Sequence, residues 1–413
     1  MSLSVGRVRI ARAGIFVGFG TMLLLSSGGG AVVAAPPASS SMKATIGTDV
    51  AAFQAKTGTP GVVVAVYDAH QFGTSGYVAS FGVTSYQGKT KVTGDTVFQI
   101  GSITKVFSGT LYGVAMGKGY ATPKTTAYKA FGSPASLAHA TDFQKITLAQ
   151  LATHTAGFPD EVDPRAADPL FAGSSTIPNT MITFYNSFKT KPDCYQYSSA
   201  GFITLGYALA DSWPGALHGK YPSILDAEIS KPLGLHCTNT ALPTACVPLE
   251  STGVELTKKP YTPAKHSATD IKSTGNDMLR WMEANLGVLT STPQYLTSAI
   301  ATAQKPEGTF PNCTNKKPVV VGLAWQEVPL TGAPGTPTAL TKNGATGYGG
   351  ESSMMVIVPS KKVGIVILTN GLGAGGPDAL AKSLAIKILT ADGGGAVTAA
   401  ASPKPHRKPR VKK

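Results

Sequence analysis

An unbroken apolar run, GVVVAVY at Gly61–Tyr67, stands between Pro60 and Asp68. Its β-branched residues, closed by a breaker on each side, predict a strand. A second apolar stretch at 77–83 follows a glycine-rich turn, so the two read as a hairpin. The period then changes. Val106, Phe107, Thr110, Leu111 and Val114 recur at steps of three and four, as on one face of a helix opening at Ser102. From there to about Asn312 the pattern is helical and loop-rich, with helices expected at 146–153, 202–210 and 277–286. Strands return at 319–325, 339–343, 353–358 and 363–368, followed by an amphipathic helix at 377–389.

Strands at both ends around a helical middle predict an α/β fold: a mixed antiparallel sheet domain formed by both chain ends, with an inserted all-α domain. The expected boundaries are 39–110 and 315–392 for the two parts of the sheet domain and 111–314 for the helical one. An active site is expected in the cleft between them.

Composition adds little to the body and more to the ends. Of 413 residues, 36 are Lys or Arg and 22 are Asp or Glu, a formal charge of +14. Arg7, Arg9 and Arg12 carry three of these charges, and Lys404, Arg407, Lys408, Arg410, Lys412 and Lys413 carry six, leaving the body at +5. Such a body is no nucleic-acid reader. With 42% of positions hydrophobic and 14% charged it is no disordered polyelectrolyte, and its glycines follow no collagen period.

The three arginines precede an uncharged stretch at 13–41 with an apolar centre at 15–25 and small residues before Pro36. Residues 1–38 therefore read as a signal peptide cleaved near 35–38, with an uncleaved anchor as the alternative. At the other end, glycines and unopposed basic charge predict a disordered tail over 393–413, which either contacts an anionic envelope surface or only solvates the chain.

Export sets the reading of the four cysteines, Cys194, Cys237, Cys246 and Cys313. An even count in an oxidising compartment predicts pairing, and three pairings are possible. Cys237 and Cys246 flank a short loop and are the preferred bridge, leaving Cys194 for Cys313. His236 beside Cys237 lacks the spacing of a zinc site, and neither metal nor cofactor is expected.

Three motifs carry chemistry, each with a plainer reading. Gly101-Ser102-Ile103-Thr104-Lys105 sets a hydroxyl at a helix start and an ammonium one turn later on the same face, beside N–H groups suited to an oxyanion. Ser102 alone would be an N-cap, and Ser40-Ser41-Met42-Lys43 matches the same spacing in a segment expected to be frayed. Tyr197, in Tyr195-Gln196-Tyr197-Ser198-Ser199, is a core aromatic or, near two lysines, a phenol driven toward phenolate that takes the serine's proton. Lys342-Asn343-Gly344-Ala345-Thr346 is a polar edge strand or a substrate-facing one, with Lys342 supplying charge and the Ala345 N–H a second oxyanion donor.

With Leu151-Ala152-Thr153-His154-Thr155-Ala156-Gly157 between them, these motifs resemble the class C β-lactamase and penicillin-recognising serine hydrolase family over about 42–390. GSITK is similar to its S-x-x-K, Tyr197-Ser198-Ser199 to its Y-x-N, and Lys342-Asn343-Gly344 to its K-T-G. The resemblance implies that Ser102 is the acylated nucleophile, Lys105 its electrostatic partner, Tyr197 the general base or acid, and Lys342 the partner lysine. The N–H groups of Ser102 and Ala345 would form the oxyanion hole, and Ser199, Asn343, Gly344 and Thr346 would contact substrate. Ser199 replaces the family's asparagine and Asn343 its threonine. The segment after Asn370 lacks an arginine, for which Lys382 is the nearest substitute. His154 is expected to pack or hydrogen-bond rather than act as a base.

These residues predict a monomeric exported serine hydrolase that opens a β-lactam or a peptidoglycan-peptide-like small substrate. The alternatives are a D-alanyl-D-alanine carboxypeptidase, an esterase, or a penicillin-binding sensor or cell-wall-binding protein that does not turn over. No G-x-S-x-G elbow, H-x-x-x-H pair or S-D-N triplet supports another hydrolase class.

Overall fold

Every residue of the first apolar run is buried, because the strand it forms, β1 (Gly61–Tyr67), lies inside a sheet covered on both faces. The computed structural model describes residues 39–86, 88–160, 177, 179–189, 193–243, 245–246, 267–331, 336–346, 350–371 and 376–393. Strand β2 (Tyr77–Gly82) completes the expected hairpin. The C-terminal half supplies β3 (Gly308–Pro311), β4 (Pro318–Val321), β5 (Gln326–Pro329), β6 (Thr338–Ala345), β7 (Glu351–Val358) and β8 (Val363–Asn370). All neighbours run antiparallel, in the order β2-β1-β8-β7-β6-β5-β4-β3. The first and last strands are thus paired, Gly61 opposite Asn370, and the two chain ends build one sheet.

Alternation along β1 divides the core. Val62, Val64 and Val66 face helices α1 (Ser39–Thr57) and α6 (Asp378–Ala391), whereas Val63, Ala65 and Tyr67 face α2 (Thr104–Gly117) and α4 (Gly275–Leu286). Between α2 and α4 the rings of Phe107 and Trp281 stack with centroids 4.2 Å apart. Helices α3 (Ser199–Ser212) and α5 (Gln294–Gln304) pack against α2 from the helical side.

Three sequence expectations are corrected. Residues 40–43 are not frayed: they open α1, whose Met42, Ile46 and Val50 recur one turn apart and are buried against the outer face of the sheet. The apolar stretch at 319–325 is not one strand. It breaks into β4 and β5 around a corner in which Gly322 N–H donates to Trp325 O and Ala324 takes a φ of 72°. Leu323, Ala324 and Trp325 are apolar because they plug the helical-side core. The sheet also resumes at Gly308, before the boundary expected at 315, since the short polar strands β3 and β5 carry little alternation to read.

The expected export signal at 1–38 lies outside the described residues, as does the basic tail beyond Gly393. Among the described residues no helix is long and apolar enough to cross a membrane.

Both disulfides form, Cys237–Cys246 with Cα atoms 5.7 Å apart and Cys194–Cys313 at 5.2 Å. Their sequence separations, 9 and 119, differ enough to rank them. Chain entropy assigns about 3 kcal/mol to the shorter loop and about 5 kcal/mol to the longer. The longer bridge also fastens the segment leading to Tyr197, where Tyr195 N–H donates to Pro311 O and Cys313 N–H to Tyr195 O, both at 2.9 Å. Replacing Cys194 and Cys313 by serine is therefore expected to lower the thermal midpoint more than the same change at Cys237 and Cys246. Calorimetry of the two double variants checks the order; equal or reversed losses would refute it.

Candidate active site

The turn that presents Ser102 exists because two glycines let strands approach it. Gly101 has a φ of 54°, and a Cβ there would lie 2.6 Å from the Ala345 amide nitrogen. A Cβ on Gly344 would collide with the Ile100 carbonyl oxygen and the Ser353 hydroxyl. That hydroxyl donates to Ile100 O at 2.8 Å, clipping β7 to the residue before the turn. Ser102 sits in the tight turn Gly101–Ile103 that leads into α2, so Ser102 and the end of β6 are neighbours.

One helical turn on, Lys105 is fully buried and donates to three oxygens: Ser102 Oγ at 3.0 Å, Ala268 O at 3.0 Å and Ser199 Oγ at 3.3 Å. Those acceptors make an ammonium tenable without water. Tyr197 reaches the same serine from the segment before α3, its hydroxyl donating to Ser102 Oγ at 2.7 Å. Its ring lies between two cations, 5.0 Å from Lys105 Nζ and 5.1 Å from Lys342 Nζ. Helix α2 and the loop before α3 thus converge on one hydroxyl, and strand β6 brings Lys342 to the tyrosine ring beside it.

Lys342, on β6, donates to the carbonyl of Asn343 at 3.0 Å and to its Oδ1 at 3.4 Å. Burial pushes this ammonium down to about 8; the Lys105 charge pushes the same way, while Tyr197 and Asp378 oppose it. Asp378 opens α6, the helix that carries Lys382 one turn further on. Thr346 is buried and closes the end of β6: its Oγ1 accepts the Glu351 N–H at 3.1 Å, and its own N–H donates to Glu351 O at 3.0 Å.

The two tyrosines of the YQY segment part ways. Tyr195 is buried and its hydroxyl accepts from Gln326 Nε2 at 2.7 Å, turned from Ser102; burial pushes its ionisation up. His154 lies behind Tyr197 with ring centroids 4.6 Å apart. Its Nδ1 accepts the Ser198 N–H at 3.0 Å and its carbonyl the Gln196 N–H at 2.8 Å, so it braces the Tyr197 segment from both sides. Burial, then the charges of Lys105 and Lys342, push its ionisation well down and keep it neutral.

Sequence reading missed Asp160, whose Oδ1 accepts from Ser199 Oγ at 2.9 Å and from Ser199 N–H at 3.1 Å. It also missed Glu351, which accepts the Gln99 N–H beside the nucleophile turn and is pushed up to about 8 by burial. Asp160 does lie three residues after the Thr-Ala-Gly segment at 155–157, but no local pattern links it to Ser199. Among the described residues no group of three or more His, Cys, Asp and Glu side chains is placed to hold a metal ion.

The arrangement is a serine flanked by an ammonium and a phenol, with a second lysine beyond the phenol, and so suits nucleophilic attack on a carbonyl. Known proteins are similar to this chain along most of its length. A family model described as Beta-lactamase matches residues 47–389. A β-lactamase of Pseudomonas fluorescens is 26% identical over 336 residues, covering 70% of this chain and 84% of the relative. The D-alanyl-D-alanine-carboxypeptidase/endopeptidase AmpH of Escherichia coli K12 is 24% identical over 319 residues, covering 76% and 80%. Among solved structures, a class C β-lactamase from Rhodobacter sphaeroides superposes with a TM-score of 0.66 at 22% identity, covering 84% of this chain and 99% of that one.

Proposed function

Since the chain belongs to the β-lactamase family, we propose that it is an exported serine β-lactamase that opens the four-membered amide through an acyl-serine intermediate. The observation that carries this reading is the pair of hydrogen bonds received by Ser102 Oγ, 3.0 Å from Lys105 and 2.7 Å from Tyr197. Tyr197 acts as the general base that takes the hydroxyl proton while Oγ attacks the carbonyl carbon. The N–H groups of Ser102 and Ala345 hold the oxyanion. The ring C–N bond breaks, the nitrogen receives the proton from Tyr197, and water then hydrolyses the ester by the same route. Lys342 attracts the substrate carboxylate, with Asn343, Gly344 and Thr346 along the substrate-facing strand. A sheet domain of 39–110 and 308–392 around a helical middle takes Ser102 and Lys342 into the sheet domain and Tyr197 into the helical one, so the two domains act as the walls of the site.

Export rests on the sequence: three arginines, an apolar centre and small residues near a cleavage point at 35–38. The mature chain then works in the periplasm or outside the cell as a monomer, and its tail of six basic residues contacts anionic envelope surface. Similarity to a carboxypeptidase/endopeptidase keeps a second substrate in view, a peptide ending in D-alanyl-D-alanine.

Purified protein lacking residues 1–38 and the tail is expected to hydrolyse a chromogenic cephalosporin with many turnovers per molecule, unaffected by chelator. A stoichiometric stable adduct would replace this reading by the sensor, D-alanine release alone by the peptidase, and aryl-ester cleavage alone by the esterase. The pH profile carries a further signature. Lys342 loses its proton near 8, so its charge is present below that pH and lost above it. kcat/KM is therefore expected to fall on the alkaline side with an apparent pKa of about 8, and Lys342→Gln to abolish that limb. A rate that stays level to pH 10 would remove Lys342 from substrate attraction.

A further inference from the structure

We propose that Asp160 is a positioning residue that acts on Lys105 through Ser199; this rests on the reading of Ser102 as the nucleophile. A serine hydroxyl has one proton. Here the Ser199 proton goes to Asp160 Oδ1 at 2.9 Å, which leaves the lone pairs of Oγ for Lys105 Nζ at 3.3 Å. The direction of the chain is thereby set: Lys105 donates to Ser199, and Ser199 donates to a carboxylate. A hydroxyl that accepts from an ammonium while giving its own proton to an anion is polarised in the sense that favours the charge on nitrogen. With Ala268 O as the other anchor at 3.0 Å, Lys105 is held from two sides and donates to Ser102 Oγ at 3.0 Å.

The consequence is a division of labour. Lys105 remains an ammonium beside Ser102 and does not serve as proton acceptor, which leaves that task to Tyr197. It also changes what Ser199 does. The resemblance assigns it to substrate contact, but its hydroxyl is buried and engaged on both sides within the protein. An amide side chain carries its own acceptor for the lysine. A serine at this position needs a second residue to orient it, and Asp160 supplies that orientation.

Asp160 has another role that must be told apart. Its carbonyl accepts the N–H groups of Ser199 at 3.0 Å and Ala200 at 2.9 Å, and its Oδ1 the Ser199 N–H at 3.1 Å, so it also caps the start of α3. A residue that only capped the helix would change stability and leave Ser102 reactivity to follow folding.

The test measures the second-order rate at which a fluorophosphonate probe labels Ser102, followed by intact mass, together with the thermal midpoint. Labelling reports the activated serine whether or not a β-lactam is turned over, so the proposed substrate can fail without affecting it. Ser199→Ala leaves the cap in place and cuts the chain. Loss of a hydrogen bond to a charged group is expected to slow labelling about ten- to a hundredfold. Asp160→Ala should slow it comparably, and the double variant should be no slower than the slower single, because both changes break one chain. Asp160→Asn keeps an oxygen acceptor for the Ser199 hydroxyl and should label within about fivefold of the unaltered protein. Ser199→Ala labelling at the unaltered rate, or losses that multiply in the double variant, would overturn the proposal and leave Asp160 as a cap. Should Asp160→Ala fail to fold, Asp160→Asn and Ser199→Ala still decide the matter. An unaltered protein whose Ser102 does not label would overturn the nucleophile assignment and this proposal together, whereas labelling without cephalosporin turnover would overturn only the substrate.

Discussion

Ser102→Ala is expected to lower cephalosporin turnover by at least about 10⁴-fold and to remove any acyl adduct, because the atom that forms the covalent bond is gone. The surroundings should stay in place. Ser102 is 9% exposed and its Oγ is an acceptor for Lys105 and Tyr197. Alanine leaves Lys105 two acceptors, Ser199 Oγ and Ala268 O. It leaves Tyr197 at the half-open face, where water can replace the serine. The thermal midpoint should therefore move by no more than about 2 °C, which corresponds to roughly 1–2 kcal/mol in a chain of this length. Initial rates with a chromogenic cephalosporin and intact-mass spectra taken during turnover measure both effects. Hydrolysis that survives in the alanine variant at a rate near the unaltered one would sink the mechanism, since no other side chain has been assigned to attack.

Tyr197→Phe is expected to cost about 10²–10⁴-fold in kcat, the range for losing a general base, with the fold intact. The substitution keeps the ring against His154 and under the two ammonium groups, 5.0 and 5.1 Å away, and removes only the hydroxyl 2.7 Å from Ser102. Tyr195→Phe is the internal control. It strands the partly buried amide of Gln326 and should cost about 1 kcal/mol of stability while leaving kcat within a few-fold. If activity is lost in Tyr195→Phe and retained in Tyr197→Phe, the residue placed beside the nucleophile is the wrong one.

The parts of this protein legible in the chain are those whose signal is local. A valine run between proline and aspartate gave a strand because strand formation and burial act on neighbouring residues, and Gly61–Tyr67 has the same ends in the structure. Ser102 and Lys105 could be paired in advance because three residues on a helix bring two side chains to one face. The Cys237–Cys246 bridge was readable from loop length, and the other pair followed by remainder. Tyr197 and Lys342 stood out as residues able to take a proton or supply charge, and family resemblance joined them to Ser102, which no local rule does.

What tertiary structure alone decided lies in contacts between segments far apart in sequence. Residues 39–57 became a helix because Met42, Ile46 and Val50 found the outer face of a sheet closed by strands some three hundred residues later. The apolar residues at 322–325 turned a corner because the helical core, not the sheet, had room for them. Lys342 reads as an ordinary basic residue on a strand, and only burial beside Lys105 brings its proton loss near 8. Asp160 and Ser199 are 39 positions apart and meet at 2.9 Å. Sequence determined which residues have the chemistry to attack a carbonyl; folding determined which protons they hold, because charge, burial and hydrogen-bond direction depend on neighbours that the chain order does not name.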